Sequence, residues 1–208
     1  MEYILSNKLR IKDNYSLNKA ERRYSAIRAI ELRQKSFKKF SFDTLKKMHK
    51  EIFQDVYDWA GKTRNVNIAK GKTFFCPMEN INSFANDIFN KLEKQNYLKG
   101  LNQDEFCQKA AELFGDINAL HPFREGNGRT QREFIYHLAK NAGYELDLNK
   151  TDKNKYMVAS IESMLTSNKK MVDLMKSVIK PLEKTRTISK RKLSIDTMNK
   201  GKNNELSR

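Results

Sequence analysis

A chain of 208 residues accommodates one domain, or one domain with an appendage, and is long enough to bury a substantial core. Hydrophobic residues make up 38% and aromatic residues 10%, gathered in long periodic segments, which excludes global disorder. The formal net charge of +16 favours polyanionic partners. Yet the lysines are scattered over helix faces, with no zinc-finger spacing, aromatic RNA-recognition pattern or basic zipper, so the excess reads as solvated surface rather than as a nucleic-acid face. Cys76 and Cys107 form neither a CxxC nor a Cys/His ligand pattern, which points to a reducing compartment without a disulfide framework or zinc site. The first ten residues, MEYILSNKLR, hold no basic stretch followed by an apolar run, and no long apolar window occurs. A soluble cytoplasmic protein without membrane contact is expected.

In chain order, Asn18 to Gln34 predicts a first helix carrying Tyr24, Ile27, Ile30 and Leu32 among charged neighbours. From Asp43, an N-cap candidate, the residues Leu45, Met48, Ile52, Phe53, Val56 and Tyr57 recur at helical spacing up to Gly61, predicting a second helix whose apolar stripe faces a core. The texture then changes. Val66 and Ile68 alternate with Asn65 and Asn67, the chain crosses Lys70-Gly71-Lys72, and Thr73, Phe74 and Phe75 follow, which predicts a short β-hairpin. Helical periodicity returns at Ile81, Phe84, Ile88 and Leu92. After Asn102, Glu105 stands at the capping-box position, and Phe106, Ala110, Leu113, Phe114 and Ile117 line a helix ended by Pro122.

From Arg129, Phe134, Ile135, Leu138 and Ala139 predict a helix stopping at Gly143. Tyr156, Met157, Ile161, Met164 and Leu165 predict another, and Met171, Leu174, Met175, Val178 and Ile179 a last one before Pro181, with the methionines as core filler. Lys190, Arg191 and Lys192 mark residues 184–208 as a basic tail, either mobile or loosely docked, beyond a domain of residues 1–183.

The stretch His121 to Arg132, HPFREGNGRTQR, joins two of these helices and concentrates the chemistry. A helix starting near Gly128 offers unpaired N–H groups and a partial positive charge. Gly126 and Gly128 lack Cβ atoms, so consecutive amides can turn toward one phosphate-sized concavity. Arg129 and Arg132, three residues apart, emerge on one side of the first turns and suit phosphate oxygens. Glu125 stands among cations, where it is either a ligand for Mg²⁺ bound with substrate phosphates or an ion-pair partner of Arg129 or Arg124. His121 can accept a proton near neutrality. His49 and His137, with no such neighbours, read as structural.

This string resembles the Fic motif, H-P-F-x-[D/E]-G-N-G-R-x-x-R, at every specified position, and IFQDVYDWAGKTRNVNI resembles the segment entering that family's flap. The resemblance implies the Fic fold, all-α and mainly a helical bundle with a β-hairpin flap. It implies transfer of AMP from ATP to a Tyr, Ser or Thr hydroxyl of a target protein. His121 would be the base, Glu125 the Mg²⁺ ligand, Gly126, Asn127 and Gly128 the anion hole, and Arg129 and Arg132 the holders of the β and γ phosphates. Phe123 would anchor the loop, and Asn118 would neighbour the nucleotide. The flap residues Asn65, Val66, Asn67, Ile68, Thr73, Phe74 and Phe75 would align the target by strand addition, or form an ordinary surface hairpin.

The family's inhibitory motif, [S/T]-x-x-x-E-[G/N], has no match, because Glu before Gly or Asn occurs only at Glu125 and Glu79, with His121 and Phe75 four residues earlier. That resembles the toxin-like class restrained by a separate small antitoxin protein. The kinase branch carries Lys at the position of Gly128, so the resemblance favours AMP transfer. Another nucleotide, or a non-catalytic nucleotide- or nucleic-acid-binding module, stays open. So does delivery into another cell, to which the basic tail could be the address.

Overall fold

The computed structural model describes residues 4–71 and 73–182; the expected tail at 184–208, and Lys72 of the flap, lie outside the described residues. Seven α-helices and two small antiparallel strand pairs make up the described chain: α1 Asn14–Arg33, α2 Phe42–Phe53, β1 Ala69–Lys70, β2 Thr73–Phe74, α3 Ile81–Lys94, α4 Gln103–Leu120, α5 Asn127–Ala142, β3 Tyr144–Glu145, α6 Lys153–Leu165, α7 Lys169–Val178 and β4 Lys180–Pro181. The all-α expectation with one short hairpin is met.

The apolar stripe of α4 explains its central place. Phe106, Cys107, Ala110, Ala111, Phe114 and Leu120 are fully buried, and the helix packs against α3, α5, α6 and α7. Its start is the expected capping box: Asn102 Oδ1 accepts from Glu105 N at 3.0 Å, and Glu105 Oε2 accepts from Asn102 N at 3.2 Å. On α5, Phe134, Ile135, Leu138 and Ala139 are buried, and Gly143 ends the helix with φ 94°.

Several boundaries differ from the sequence expectation. The first helix begins four residues earlier, because Asp13 Oδ1 caps it by accepting from Ser16 N at 2.7 Å. Its inward face is Leu17, Glu21, Ser25 and Leu32, while Tyr24, Ile27 and Ile30 are exposed. The second helix is capped by Ser41 rather than Asp43, and it stops at Phe53 rather than running to Gly61. Val56 and Tyr57 still reach the core through turns, and Lys8 N holds the Val56 carbonyl at 2.8 Å.

The flap pairs only Ala69 with Phe74 and Lys70 with Thr73, so Asn65 to Ile68 lead into the hairpin without joining it. Phe75 N donates to Ile68 O at 3.4 Å, a weak extension. The pairing of β3 with β4 went unforeseen, since Pro181 read only as a helix stop. Along α6, Met157, Ile161 and Leu165 are exposed, so of the α6 and α7 methionines Met171 and Met175 fill the core as expected and Met157 does not. No described helix is long and apolar enough to cross a membrane.

Candidate active site

His121 ends α4 in the left-handed region, φ 41° and ψ 60°, directly before Pro122. Both facts oppose an ordinary L-residue: the Cβ is crowded, and the following proline ring disfavours helical backbone angles. Strain of about 1–3 kcal/mol persists only where neighbours over-determine the conformation. Here four contacts do so. His121 N donates to Ile117 O at 3.1 Å, its carbonyl accepts from Arg64 Nε at 2.9 Å, Nδ1 lies 3.3 Å from Asn118 O, and the ring stacks on Phe75 with centroids 3.7 Å apart.

The Asn118 contact fixes the tautomer. A carbonyl oxygen only accepts, so Nδ1 carries the proton and Nε2 keeps the lone pair. Burial pushes His121 down to about 4 from an ordinary 6.5, the Asn118 bond opposes this, and the nearby charges of Arg64 and Lys70 add to it. The imidazole is therefore neutral at pH 7, with Nε2 free to take a proton. The Asn118 side chain itself turns away, donating from Nδ2 to Ser160 O at 2.9 Å and tying α4 to α6.

The loop after His121 is held from inside and below. Phe123 is buried and stacks on His49 at 3.9 Å, as an anchor should. Asn127 closes the loop with its side chain, Oδ1 accepting from Phe123 N at 2.9 Å and Nδ2 donating to Phe123 O at 2.7 Å. Gly126, at φ 80°, lies against the Phe53 ring, which a Cβ would approach to 2.3 Å.

His49 is a structural residue with a definite task. Its Nδ1 accepts from Gly61 N at 2.8 Å, so Nε2 is protonated and donates to Glu125 O at 3.0 Å. His137 is likewise buried. Behind His49, Trp59 stacks on Tyr57 with centroids 4.2 Å apart and lies 6.0 Å from the imidazole.

The amides of Asn127, Gly128 and Arg129 open α5, where Gly126 supplies no side-chain cap and no helical acceptor exists for them. Gly126 N is satisfied by Glu125 Oε1 at 2.8 Å. That carboxylate is half exposed and 3.6 Å from Arg129 Nη2, so a weak ion pair coexists with its availability to a cation.

Arg129 and Arg132 line one cavity of about 360 Å³ with α1 residues including Arg22, Ser25 and Arg33; His121 is not among its walls. Arg129 is not idle there. It donates to Ser25 Oγ at 3.0 Å and to the buried Glu21 carboxylate, and packs over Phe53 at 4.7 Å. Glu21 also accepts from Tyr57 Oη. Arg132 donates from Nε to Asn149 Oδ1 at 2.8 Å and lies 5.2 Å over the Tyr156 ring.

Sequence reasoning missed Glu21, Ser25, Asn149 and Arg64. Glu21 and Ser25 had a legible signal, polar residues at i+4 and i+8 from the apolar Leu17 of a helix. Arg64 had none, because its partners are backbone atoms.

Residues 39–139 match the Fic/DOC family. The chain is 44% identical over 178 residues to the protein adenylyltransferase VbhT of Bartonella schoenbuchensis, covering 85% of this chain and 36% of that protein. It is 38% identical to the probable protein adenylyltransferase y4lH of Sinorhizobium fredii, covering 77% of this chain and 83% of that one. Among solved structures, the ADP-bound N-terminal Fic domain of a VirB-translocated Bep effector from Bartonella quintana superposes with a TM-score of 0.80 at 30% identity, covering 86% of this chain and 92% of that one. With the motif intact, the helical order matched and the similarity to the y4lH protein and the Bartonella quintana domain spanning most of both chains, the protein belongs to the Fic/DOC family.

Proposed function

We propose that the chain is a protein adenylyltransferase, moving AMP from ATP to a Tyr, Ser or Thr hydroxyl of a target protein and releasing pyrophosphate. The observation that carries this reading is His121, a neutral imidazole with Nδ1 engaged and Nε2 free, in the loop that opens onto the uncapped amides of α5. Nε2 takes the proton of the incoming hydroxyl as its oxygen bonds to the α-phosphorus and the bond to pyrophosphate breaks. The amides of Asn127 and Gly128 face the charge that develops on the phosphate oxygens. Arg132, whose side chain gives only Nε to a hydrogen bond among the described residues, suits the γ-phosphate. Arg129 suits the β-phosphate only by loosening its bonds to Glu21 and Ser25.

The described residues hold no group of three or more potential metal ligands of the His, Cys, Asp or Glu type. A lone half-exposed carboxylate, Glu125, fits Mg²⁺ that arrives with ATP and fills its remaining positions from phosphates and water. That ion would neutralise phosphate charge. The ATP requirement and the free cysteines point to action in the cytoplasm. A small antitoxin fits as restraining partner: residues 1–208 hold no match to the inhibitory motif, and the exposed Ile30 of α1 lines the arginine cavity.

The test is incubation of the protein with α-labelled ATP, Mg²⁺ and a bacterial lysate. Wild type labels protein, and His121→Ala lowers the rate by about 10²–10⁴-fold, the usual worth of a general base. Equal labelling by both would overturn the assignment. The similar Bep effector BepC of Bartonella tribocorum, 28% identical, was solved with bound AMPPNP, which supports an adenine nucleotide as the ligand here.

A further inference from the structure

Arg64 is a buried cation, 5% exposed, with no carboxylate in ion-pair distance among the described residues. A lone buried charge is costly unless hydrogen bonds replace its water. All of its replacements are main-chain carbonyls. Nε donates to His121 O at 2.9 Å, Nη1 to Val66 O at 2.7 Å, and Nη2 to Cys76 O. The Arg64 amide adds a fourth bond, to Pro122 O at 2.8 Å.

These acceptors belong to three separate segments. Val66 precedes β1, Cys76 follows β2, and His121 with Pro122 forms the turn out of α4. Cys76 N in turn donates to Ala119 O at 2.9 Å, so the second flap leg is fastened directly to α4 as well as to Arg64. One planar group with donors fanned around its edge reaches three carbonyls at once; a lysine ammonium, a compact point charge, lacks that geometry. The bond to the His121 carbonyl is also one of the four contacts that maintain the left-handed turn.

We propose that Arg64 is a positioning residue for the transfer reaction: it clips both legs of the flap to the carbonyl of His121, so that the edge presenting the acceptor hydroxyl and the imidazole deprotonating it move as one body. This rests on the reading of His121 as base and the flap as target edge.

The test compares wild type, Arg64→Ala and Arg64→Lys in the full chain. Three quantities are measured: amide hydrogen exchange across residues 66–76, calorimetric affinity for a non-hydrolysable ATP analogue with Mg²⁺, and labelling of lysate proteins from α-labelled ATP. Both variants are expected to stay folded by thermal melt and to bind the analogue as wild type does, while the flap amides exchange faster. Labelling should fall about 100-fold, the size of effect expected when reacting groups are misplaced by an ångström. Millimolar guanidinium should restore part of the Arg64→Ala rate and leave Arg64→Lys unchanged.

Flap exchange equal to wild type in both variants would overturn the clip whatever the activity. Full labelling by Arg64→Lys would overturn the need for the planar fork. Unfolding of both variants, or loss of analogue binding in step with labelling, would make Arg64 a residue of the fold and equally overturn the proposal. Should wild type itself transfer no label, the adenylyltransferase reading fails, while the exchange data still decide whether Arg64 couples flap and turn.

Discussion

At His121 the backbone and the side chain are fixed by different partners, and each can be probed. The neutral state follows from burial, with His121 pushed down to about 4. A base works only when deprotonated, so activity is lost as pH falls through that value. The second-order rate of protein labelling should stay level from pH 8 to pH 6 and decline toward an acid limb well below 6.5; a limb at 6.5 would contradict the buried imidazole. The glycines of the motif should separate by consequence. In Gly126→Ala the new methyl meets the Phe53 ring at φ 80°, and the melt should fall by the equivalent of about 2 kcal/mol or more. In Gly128→Ala the nearest atom is Arg132 Nη1 at 3.7 Å, so stability should hold or rise by about 0.5–1 kcal/mol while calorimetric nucleotide affinity drops. The motif residues were legible in the sequence because their types dictate possible chemistry. Their conformations were not: the Asn127 side chain braces Phe123 from both sides of its peptide, a choice made by loop geometry that leaves the Asn127 amide at the start of α5.

The element most misread was α1. Its exposed Tyr24, Ile27 and Ile30 imitate a buried stripe, whereas its inward face carries Glu21 and Ser25 between Leu17 and Leu32, so of the four apolar residues expected to mark that face only Leu32 does. The reason lies across the interface, where Arg129 of α5 needs an anionic partner that apolar packing would not supply. Glu21 also keeps the Tyr57 phenol protonated, burial raising its titration first and the carboxylate raising it further. Glu21→Ala should therefore destabilise the protein by about 2–3 kcal/mol, because Arg129 is only partly exposed and loses its main partner. Adding Arg129→Ala in that background should cost less than it does in wild type, which a double-mutant cycle of denaturation midpoints would read. The helices α4 and α5, by contrast, were legible nearly to the residue, since a capping box, a glycine stop and unbroken apolar faces all agree there.

Across the whole molecule, His49, His121 and His137 share one response to acid. Burial lowers each to about 4. The unfolded chain binds those protons near 6.5, so the stabilisation is complete above that pH and is lost as pH falls toward 4. The melting temperature should accordingly drop between pH 7 and pH 5; a melt insensitive to pH over that range would show the histidines to be accessible. His49 and His137 were legible as structural, because neither has phosphate-binding neighbours in sequence. The overall bundle was legible too, while the β3–β4 pair was not, as two-residue strands carry no periodicity. One further property follows from the stack behind the loop. Trp59 is the only tryptophan in the chain, and it lies between the ring of Tyr57 and that of His49, whose far nitrogen grips the Glu125 carbonyl. Its ultraviolet emission is thus a built-in optical gauge of the motif, and titrating unlabelled protein with magnesium and nucleotide should shift the indole's intensity without any dye.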